Sequence, residues 1–279
     1  MDVFYKNKTI EAYLDSLDST VSVGFVPTMG ALHKGHISLI EQAKSENNIV
    51  VVSIFVNPTQ FDKEEDLLKY PKDLKKDLEL LKSIDCDVVY APDALEIYNN
   101  QIMSNSFNFD GLEHQMEGKH RKGHFDGVGT IVKKLFEIVK PNRAYFGEKD
   151  FQQLQIIKKL VEKHHLPVQI IPCAIYREDD GLAMSSRNSR LTGVQREEAP
   201  FIFQTLKTAK EKFKSESIST IIEWVEKQFN ANSILKLEYF EIANETTLIS
   251  ANRKRKGNNY RAYIAVFAGE IRLIDNLAL

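Results

Sequence analysis

The chain has 279 residues, 43% of them hydrophobic and 27% charged, with a formal net charge of −2. That composition describes a globular protein with a sizeable core, in one large domain or two ordinary ones, and offers no excess of positive charge for nucleic acid. Its two cysteines, Cys86 and Cys173, make no C-x-x-C pair, which fits a reducing cytoplasm and argues against a disulfide framework or a cysteine-built metal site.

The N-terminal "MDVFYKNKTIEAYLDSL" carries charges where a secretory signal needs an apolar core. "VSVGFV" (21–26) then reads as a buried strand, and 35–47 as a helix with Ile37, Ile40 and Ala43 on one face. "IVVVSIFV" (49–56) is the next strand, far too short to span a bilayer. A helix is expected over 71–84, with Leu74, Leu78 and Leu81 in phase, and a strand over 86–92. A helix over 127–140, stopped by Pro141, leads to a strand over 143–148; a helix over 150–164 leads to a strand over 167–173. Strands separated by helices imply right-handed crossovers and a parallel sheet. After about residue 177 the pattern changes to helices over 193–214 and 218–230. "LKLEYFEIAN" and "YRAYIAVFAGEIRLI" follow as antiparallel strands. The expected organisation is a doubly wound α/β domain over 1–176 and a smaller α+β domain over 177–279. The basic run "NRKRKG" (252–257) is short and lacks interleaved aromatics, so it reads as a solvated hairpin turn.

Chemistry concentrates in "GFVPTMGALHKGH" (24–36), which runs from the first predicted strand into a helix. In an open parallel sheet ligands bind beyond the carboxyl ends of the strands, and a helix N-terminus there suits phosphate. Gly30 and Gly35 permit close approach of a ligand. Neither G-x-G-x-x-G nor G-x-x-x-x-G-K-[ST] is present, so imidazoles stand where a phosphate loop has its lysine. His33 and His36, spaced i and i+3, lie near one face of the helix. Their spacing leaves three readings open: phosphate binding, a structural role, or a metal pair. The third lacks a carboxylate or cysteine at metal spacing.

Three further segments bear on the choice, each with an ordinary alternative. "GLAMSSRNSR" (181–190) offers two hydroxyls, Ser185 and Ser186, and the Arg187 fork, yet reads equally as a plain interdomain loop. "FGEKDFQQL" (146–154) ends a strand with Lys149 as a point charge and Asp150 as an acceptor for ribose hydroxyls. Glu148 and Asp150 also suit any helix start. "VNPTQF" (56–61) places the neutral amides Asn57 and Gln60 at the same sheet edge.

Taken together these residues resemble a known family. "PTMGALHKGH" is similar to the HIGH-type signature of the nucleotidylyltransferase superfamily. With "FVNPTQF", "YP" at 70–71, "GHFDGV", "FGEKDFQQL", "GLAMSSRN" and "RLIDN", in that order, it resembles the pantoate–β-alanine ligase (pantothenate synthetase) family over nearly the whole chain. The resemblance implies a Rossmann-like doubly wound sheet with a smaller lid domain, in a cytoplasmic homodimer with no nucleic acid or membrane partner. It implies that pantoate and ATP, with Mg²⁺, give pantoyl adenylate and pyrophosphate, and that β-alanine then releases AMP. His33 and His36 would bind ATP phosphates, His36 donating a proton. Lys149 and the Ser185, Ser186 and Arg187 clamp would neutralise the triphosphate, making His33, His36, Lys149 and Arg187 the catalytic set. Met29, Gly30, Ala31, Leu32, His33, Lys34, Gly35 and His36 would line the nucleotide site with Gly147, Glu148, Lys149 and Asp150, and Tyr176 and Met184 would stand on the adenine side. Gln60 and Gln153 would hold pantoate, Gln60 also bordering β-alanine. Asp77 matches a position associated with hydrated magnesium, although Lys76 precedes it where some relatives carry a second acid. Arg121 and His124 match positions near the site, and Lys122 stands where the family commonly has proline. The paired glutamines and the absence of extra positive charge near 57–61 argue against transfer to a phosphorylated acceptor. The intact His33, His36, Lys149 and Arg187 argue against a non-catalytic binding module. The near-neutral charge argues against a fragment of an aminoacyl-tRNA synthetase.

Overall fold

Valine- and isoleucine-rich runs without polar alternation suit strands covered on both faces, and the computed structural model builds such a sheet. It describes residues 1–62, 64–99 and 101–279. Its elements are β1 (Asp2–Phe4), α1 (Asn7–Asp15), β2 (Val23–Thr28), α2 (Lys34–Glu46), β3 (Ile49–Ile54), α3 (Glu64–Lys69), α4 (Leu74–Ser83), β4 (Val88–Tyr90), α5 (Ala94–Tyr98), α6 (Met116–His120), α7 (His124–Val139), β5 (Arg143–Gly147), α8 (Phe151–His164), β6 (Gln169–Cys173), α9 (Gly193–Glu198), α10 (Phe201–Phe213), α11 (Ile218–Asn230), β7 (Leu235–Asn244), β8 (Tyr260–Ala268) and β9 (Ile271–Ala278).

Among the described residues the first sheet is six-stranded, in the order β1-β4-β3-β2-β5-β6, with every neighbouring pair parallel. From β2 the chain builds β3 and β4 on one side and β5 and β6 on the other. The order therefore reverses between β2 and β5, and a crevice for ligands opens beyond the carboxyl ends of strands at such a reversal. There the chain places the turn after Thr28 and the end of β5 at Gly147. On one face Val26, Val50, Val52, Val89 and Tyr145 pack with Ile40 and Ala43 of α2 and Leu81 of α4. Elsewhere in the core Phe25 meets Phe136 of α7 edge-on, with ring centroids 6.2 Å apart. Each such fully buried side chain contributes roughly 1.5–3 kcal/mol, which is what anchors the strand ends that carry the site.

The second sheet is antiparallel, β7-β8-β9. Ile242, Ile264 and Leu273 pack there with Ile202 and Leu206 of α10 and Ile221 and Val225 of α11. The chain forms two compact units. One comprises Met1–Phe109, His120–Glu148 and Gln153–Ala174; the other comprises Asp110–Lys119, Lys149–Gln152 and Ile175–Leu279. A single cut at 176/177 thus leaves out two short segments that fold with the second unit.

Three details depart from the predicted elements. The helix expected over 193–214 is two, α9 and α10, because Pro200 has no N–H to continue the ladder. The helix expected from 127 begins at His124, after Gly123 at φ +79. The short strand β1 and the helices α1, α3, α5 and α6 are not among the predicted elements; β1, α3, α5 and α6 span too few residues for a periodic signal. The run 252–257 lies exposed between β7 and β8. No helix among the described residues is long and apolar enough to cross a membrane.

Both cysteines are buried as free thiols. Burial, and then Asp87, pushes the Cys86 thiol up to about 11. Burial, and then Glu46 and Glu148, pushes Cys173 up to about 12. Because the thiolate is the reactive form, native protein at about pH 8 is expected to react slowly with a disulfide reagent, and to give two rapid equivalents only after unfolding. One rapid equivalent in the native protein would contradict this burial.

Candidate active site

The site begins where β2 runs out. Gly30 (φ +76) and Ala31 (φ 50) turn the chain through the left-handed region. His33 then caps α2 in extended conformation. Its Nδ1 accepts from the Gly35 N–H at 3.2 Å, and the Nδ1 of His36 accepts from the His33 N–H at 3.3 Å. This is a reciprocal capping box made of two imidazoles. With both Nδ1 atoms accepting, the neutral tautomer of each ring has its proton on Nε2. The rings lie 4.0 Å apart at 36°. The first turn of α2 contains no acidic residue. The partial positive charge at this helix end is therefore not neutralised by a carboxylate in its own first turn. An anion there gains typically about 0.3–1 kcal/mol, and up to about 2 where water is excluded.

Asp77 of α4 holds the turn itself. One carboxylate oxygen accepts from Ala31 N–H at 2.9 Å and the other from Leu32 N–H at 2.8 Å. Burial raises its pKa, while these two amides act in the opposite direction. A Cβ on Gly30 would stand 2.8 Å from Asp77 Oδ2, so this close approach requires glycine twice over, by φ and by space. No group of three or more metal-ligating side chains occurs among the described residues. The carboxylate most suited to a hydrated cation is thus already engaged as a backbone clamp.

Beyond β3, Asn57 caps the 3-10 turn Pro58–Gln60, with proline following it as expected at a helical start. Its buried side chain donates to Gln60 Oε1 (3.1 Å) and Gly127 O (3.2 Å) and accepts from the Tyr98 hydroxyl. Gln60 Nε2 reaches Met29 Sδ at 3.0 Å. The Gln60 carbonyl, which can only accept, meets His124 Nδ1 at 2.8 Å, so His124 is protonated at Nδ1, the opposite tautomer to His33 and His36. Its Nε2 then carries no proton and accepts from Arg121 Nη1 at 3.1 Å. Arg121 also contacts Asp62 and the same Gln60 carbonyl. Arg121 and His124 therefore position the Gln60 backbone.

In the second unit, Lys149 and Asp150 lie in the 3-10 turn before α8, with Lys149 Nζ 3.8 Å from Asp150. Gln152 is buried and fully committed: it accepts from Glu117 N–H and donates to the carbonyls of Leu112 and Gln115, all within 2.9 Å. Of the two glutamines in the first turn of α8, Gln152 is thus consumed by structure. Tyr176 accepts at its carbonyl from Met184 N–H, pairing the two residues across a turn. Ser185 caps the 3-10 turn Ser186–Arg190 by accepting from Arg187 N–H, and Asn188 ties that turn to Glu178 and the Ala183 carbonyl.

The structure thus brings Met29, Gln60, Asn57, Arg121 and His124 together in the first unit, and His33 with His36. Asp77, which the resemblance associates with magnesium, is placed as a clamp on the turn at Ala31 and Leu32. Sequence reasoning missed Tyr98 and Asn276, the partners of Asn57 and Lys149; the motif "RLIDN" was the available signal for the latter.

A parallel sheet whose order reverses beside an H-x-G-H helix start is the arrangement of HIGH-type nucleotide-binding α/β proteins. A family profile described as pantoate-beta-alanine ligase matches residues 2–278, and the chain belongs to that family. It is 54% identical over 281 residues to the pantothenate synthetase of Christiangramia forsetii, covering 100% of this chain and 99% of the relative. It is 53% identical to that of Flavobacterium psychrophilum, with both chains covered in full. Among solved structures, pantothenate synthetase from Thermus thermophilus superposes with TM-score 0.91 at 38% identity, over 99% of each chain. The pantoate-beta-alanine ligase of Francisella tularensis, complexed with beta-gamma ATP and beta-alanine, gives 0.83 at 38% identity, over 100% of this chain and 97% of that one.

Proposed function

We propose that this protein condenses pantoate with β-alanine at the expense of ATP, through a pantoyl adenylate, releasing pyrophosphate and AMP. Family membership supports the overall reaction. The observation that carries the chemistry is the double-histidine cap, two imidazoles held side by side at a helix end whose first turn carries no acid. Adenylation needs no enzyme nucleophile, because the pantoate carboxylate attacks the α-phosphorus itself. What it needs is orientation and stabilisation of charge on the phosphate oxygens. On this reading Met29 to His36 and Gly147 to Asp150 line the ATP site, with Tyr176 and Met184 on the adenine side. His33 and His36 donate to phosphate oxygens, and Lys149, Ser185, Ser186 and Arg187 neutralise the triphosphate. Gln60 and Gln153 hold pantoate, and Gln60 also borders β-alanine. Magnesium would arrive with ATP and offset charge on its phosphates, with Asp77 the residue this reading sets nearest to it. A homodimer in the cytoplasm completes the reading.

The assay is pyrophosphate release from ATP, with pantoate and β-alanine each added or omitted. Release that requires pantoate, with AMP and amide formed on adding β-alanine, is the expected result. Release that responds to a phosphorylated alcohol and ignores pantoate would refute the reading.

A second expectation concerns Gly127. A Cβ there would stand 2.3 Å from Thr59 O and 2.7 Å from Gln60 Cα, both backbone atoms. Gly127→Ala must therefore displace the Gln60 turn, an overpacking that costs about 1–3 kcal/mol. The KM for pantoate should rise at least about tenfold, the equivalent of roughly 1.4 kcal/mol, with the KM for ATP little changed. Equal effects on both substrates would argue against Gln60 as a pantoate ligand.

A further inference from the structure

Neighbouring residues on β9, Asp275 and Asn276, are both buried, at 4% and 2% exposure, and neither is among the ligand-contacting residues proposed above. They follow one another on a strand, so they point to opposite faces of the second sheet. On one face Asn276 Nδ2 donates to the carbonyl of Lys149 at 2.9 Å, while its Oδ1 accepts from Arg261 Nη1 at 2.6 Å. Arg261 is itself anchored by Glu245 (2.9 Å) and lies over the Phe151 ring at 3.9 Å. The Lys149 turn is thereby held at its main chain and two residues further on. On the other face Asp275 takes the Arg177 guanidinium in a two-pronged pair at 2.7 and 2.9 Å. Arg177 also donates to Gly181 O, lies over the Phe203 ring at 3.7 Å, and pairs with Ala183 across the turn that leads into Ser185, Ser186 and Arg187.

A surface ion pair holds little, about 0–1 kcal/mol. Here the two-pronged Arg177–Asp275 pair is part-buried and charge-assisted, and the buried bond from Arg261 orientates the Asn276 amide before it reaches Lys149. We propose that Asp275 and Asn276 are positioning residues that fix Lys149 and the Ser185–Arg187 turn to one strand, so that both phosphate-binding groups meet the nucleotide already aligned. This rests on the reading of Lys149 and Arg187 as triphosphate ligands. Misplacing a reacting group by about 1 Å costs on the order of 10²-fold in rate, so the predicted effects are large for residues that touch no substrate.

The test is a pair of double-mutant cycles on the full chain, reading both the dissociation constant for ATP and the turnover with pantoate and β-alanine. Asn276→Asp keeps size and the Arg261 partner but turns an acceptor towards the Lys149 carbonyl. It should weaken ATP binding and turnover by roughly 10- to 10²-fold with the KM for pantoate unchanged, and should cost less than about twofold when Lys149 is already alanine. Asp275→Asn should couple in the same way to Arg187→Ala. If Asn276→Asp does not fold, Asn276→Ala, which removes both bonds without adding charge, carries the same cycle. Losses that multiply fully in the double variants, or unchanged ATP binding in the single ones, would overturn the proposal. Wild-type turnover without pantoate dependence would instead refute the substrate reading, and the ATP-binding cycle would still decide the positioning role.

Discussion

Replacing His36 by alanine is expected to lower turnover by about 10² to 10³, the scale for one well-placed donor to a developing charge. His36 has two tasks that the variant removes together: a cap on the His33 N–H and an Nε2–H donor. Losing a cap costs about 0.5–2 kcal/mol of stability, so the native fraction stays high and the turnover loss reports on the donor. His36→Asn separates the two. The asparagine Oδ1 stands where the imidazole Nδ1 does and can accept from the His33 N–H, so stability should recover while turnover stays low. Near-normal turnover in His36→Ala would refute its role at the phosphates.

The second large effect is on stability. Arg272 of β9 donates to both oxygens of Glu117, each at 2.7 Å, and to Glu238 at 2.6 Å; the Tyr239 hydroxyl also donates to Glu117. Burial works against the guanidinium charge, but Glu117 and Glu238 outweigh it and hold Arg272 above its ordinary pKa. Removing one partner of a buried pair costs about 3–5 kcal/mol, because the other charge is left uncompensated. Arg272→Met keeps most of the stem and leaves two glutamates facing each other, so a loss of that size is expected in the second unit. The chain's one tryptophan, Trp224, packs on that unit's core, and its fluorescence in a denaturant titration reports the transition. A variant as stable as the wild type would contradict this account of the cluster.

How much of this was legible in the sequence follows from the range of each interaction. Strands buried on both faces give continuous apolar runs, so the parallel sheet could be read directly, as could β7 and the run that the structure divides at Gly269 into β8 and β9. β1 has three residues, too few for any pattern, and is a strand because β4 lies beside it. Pro200 interrupts a helical periodicity that otherwise looks continuous, and the rule that proline lacks an N–H outweighs that periodicity. At the site, the spacing of His33 and His36 could not choose between structure and chemistry. The geometry shows why: the same residues can do both, Nδ1 serving the helix and Nε2 offering a donor. The role of Asp77 was out of reach because its partners, Ala31 and Leu32, lie 46 and 45 positions away. The role of Asn276 was hidden for the same reason, its partner Lys149 being 127 positions earlier.

The adenylate route can be tested most directly with pantoate labelled by ¹⁸O in its carboxylate. If the carboxylate attacks the α-phosphorus and β-alanine then breaks the acyl C–O bond, one labelled oxygen must leave in the phosphate of AMP and the other must remain in the amide carbonyl. Mass spectrometry of the products should find AMP carrying one ¹⁸O and unlabelled pyrophosphate. Label in inorganic phosphate with ADP as the co-product, or AMP without label, would contradict the account.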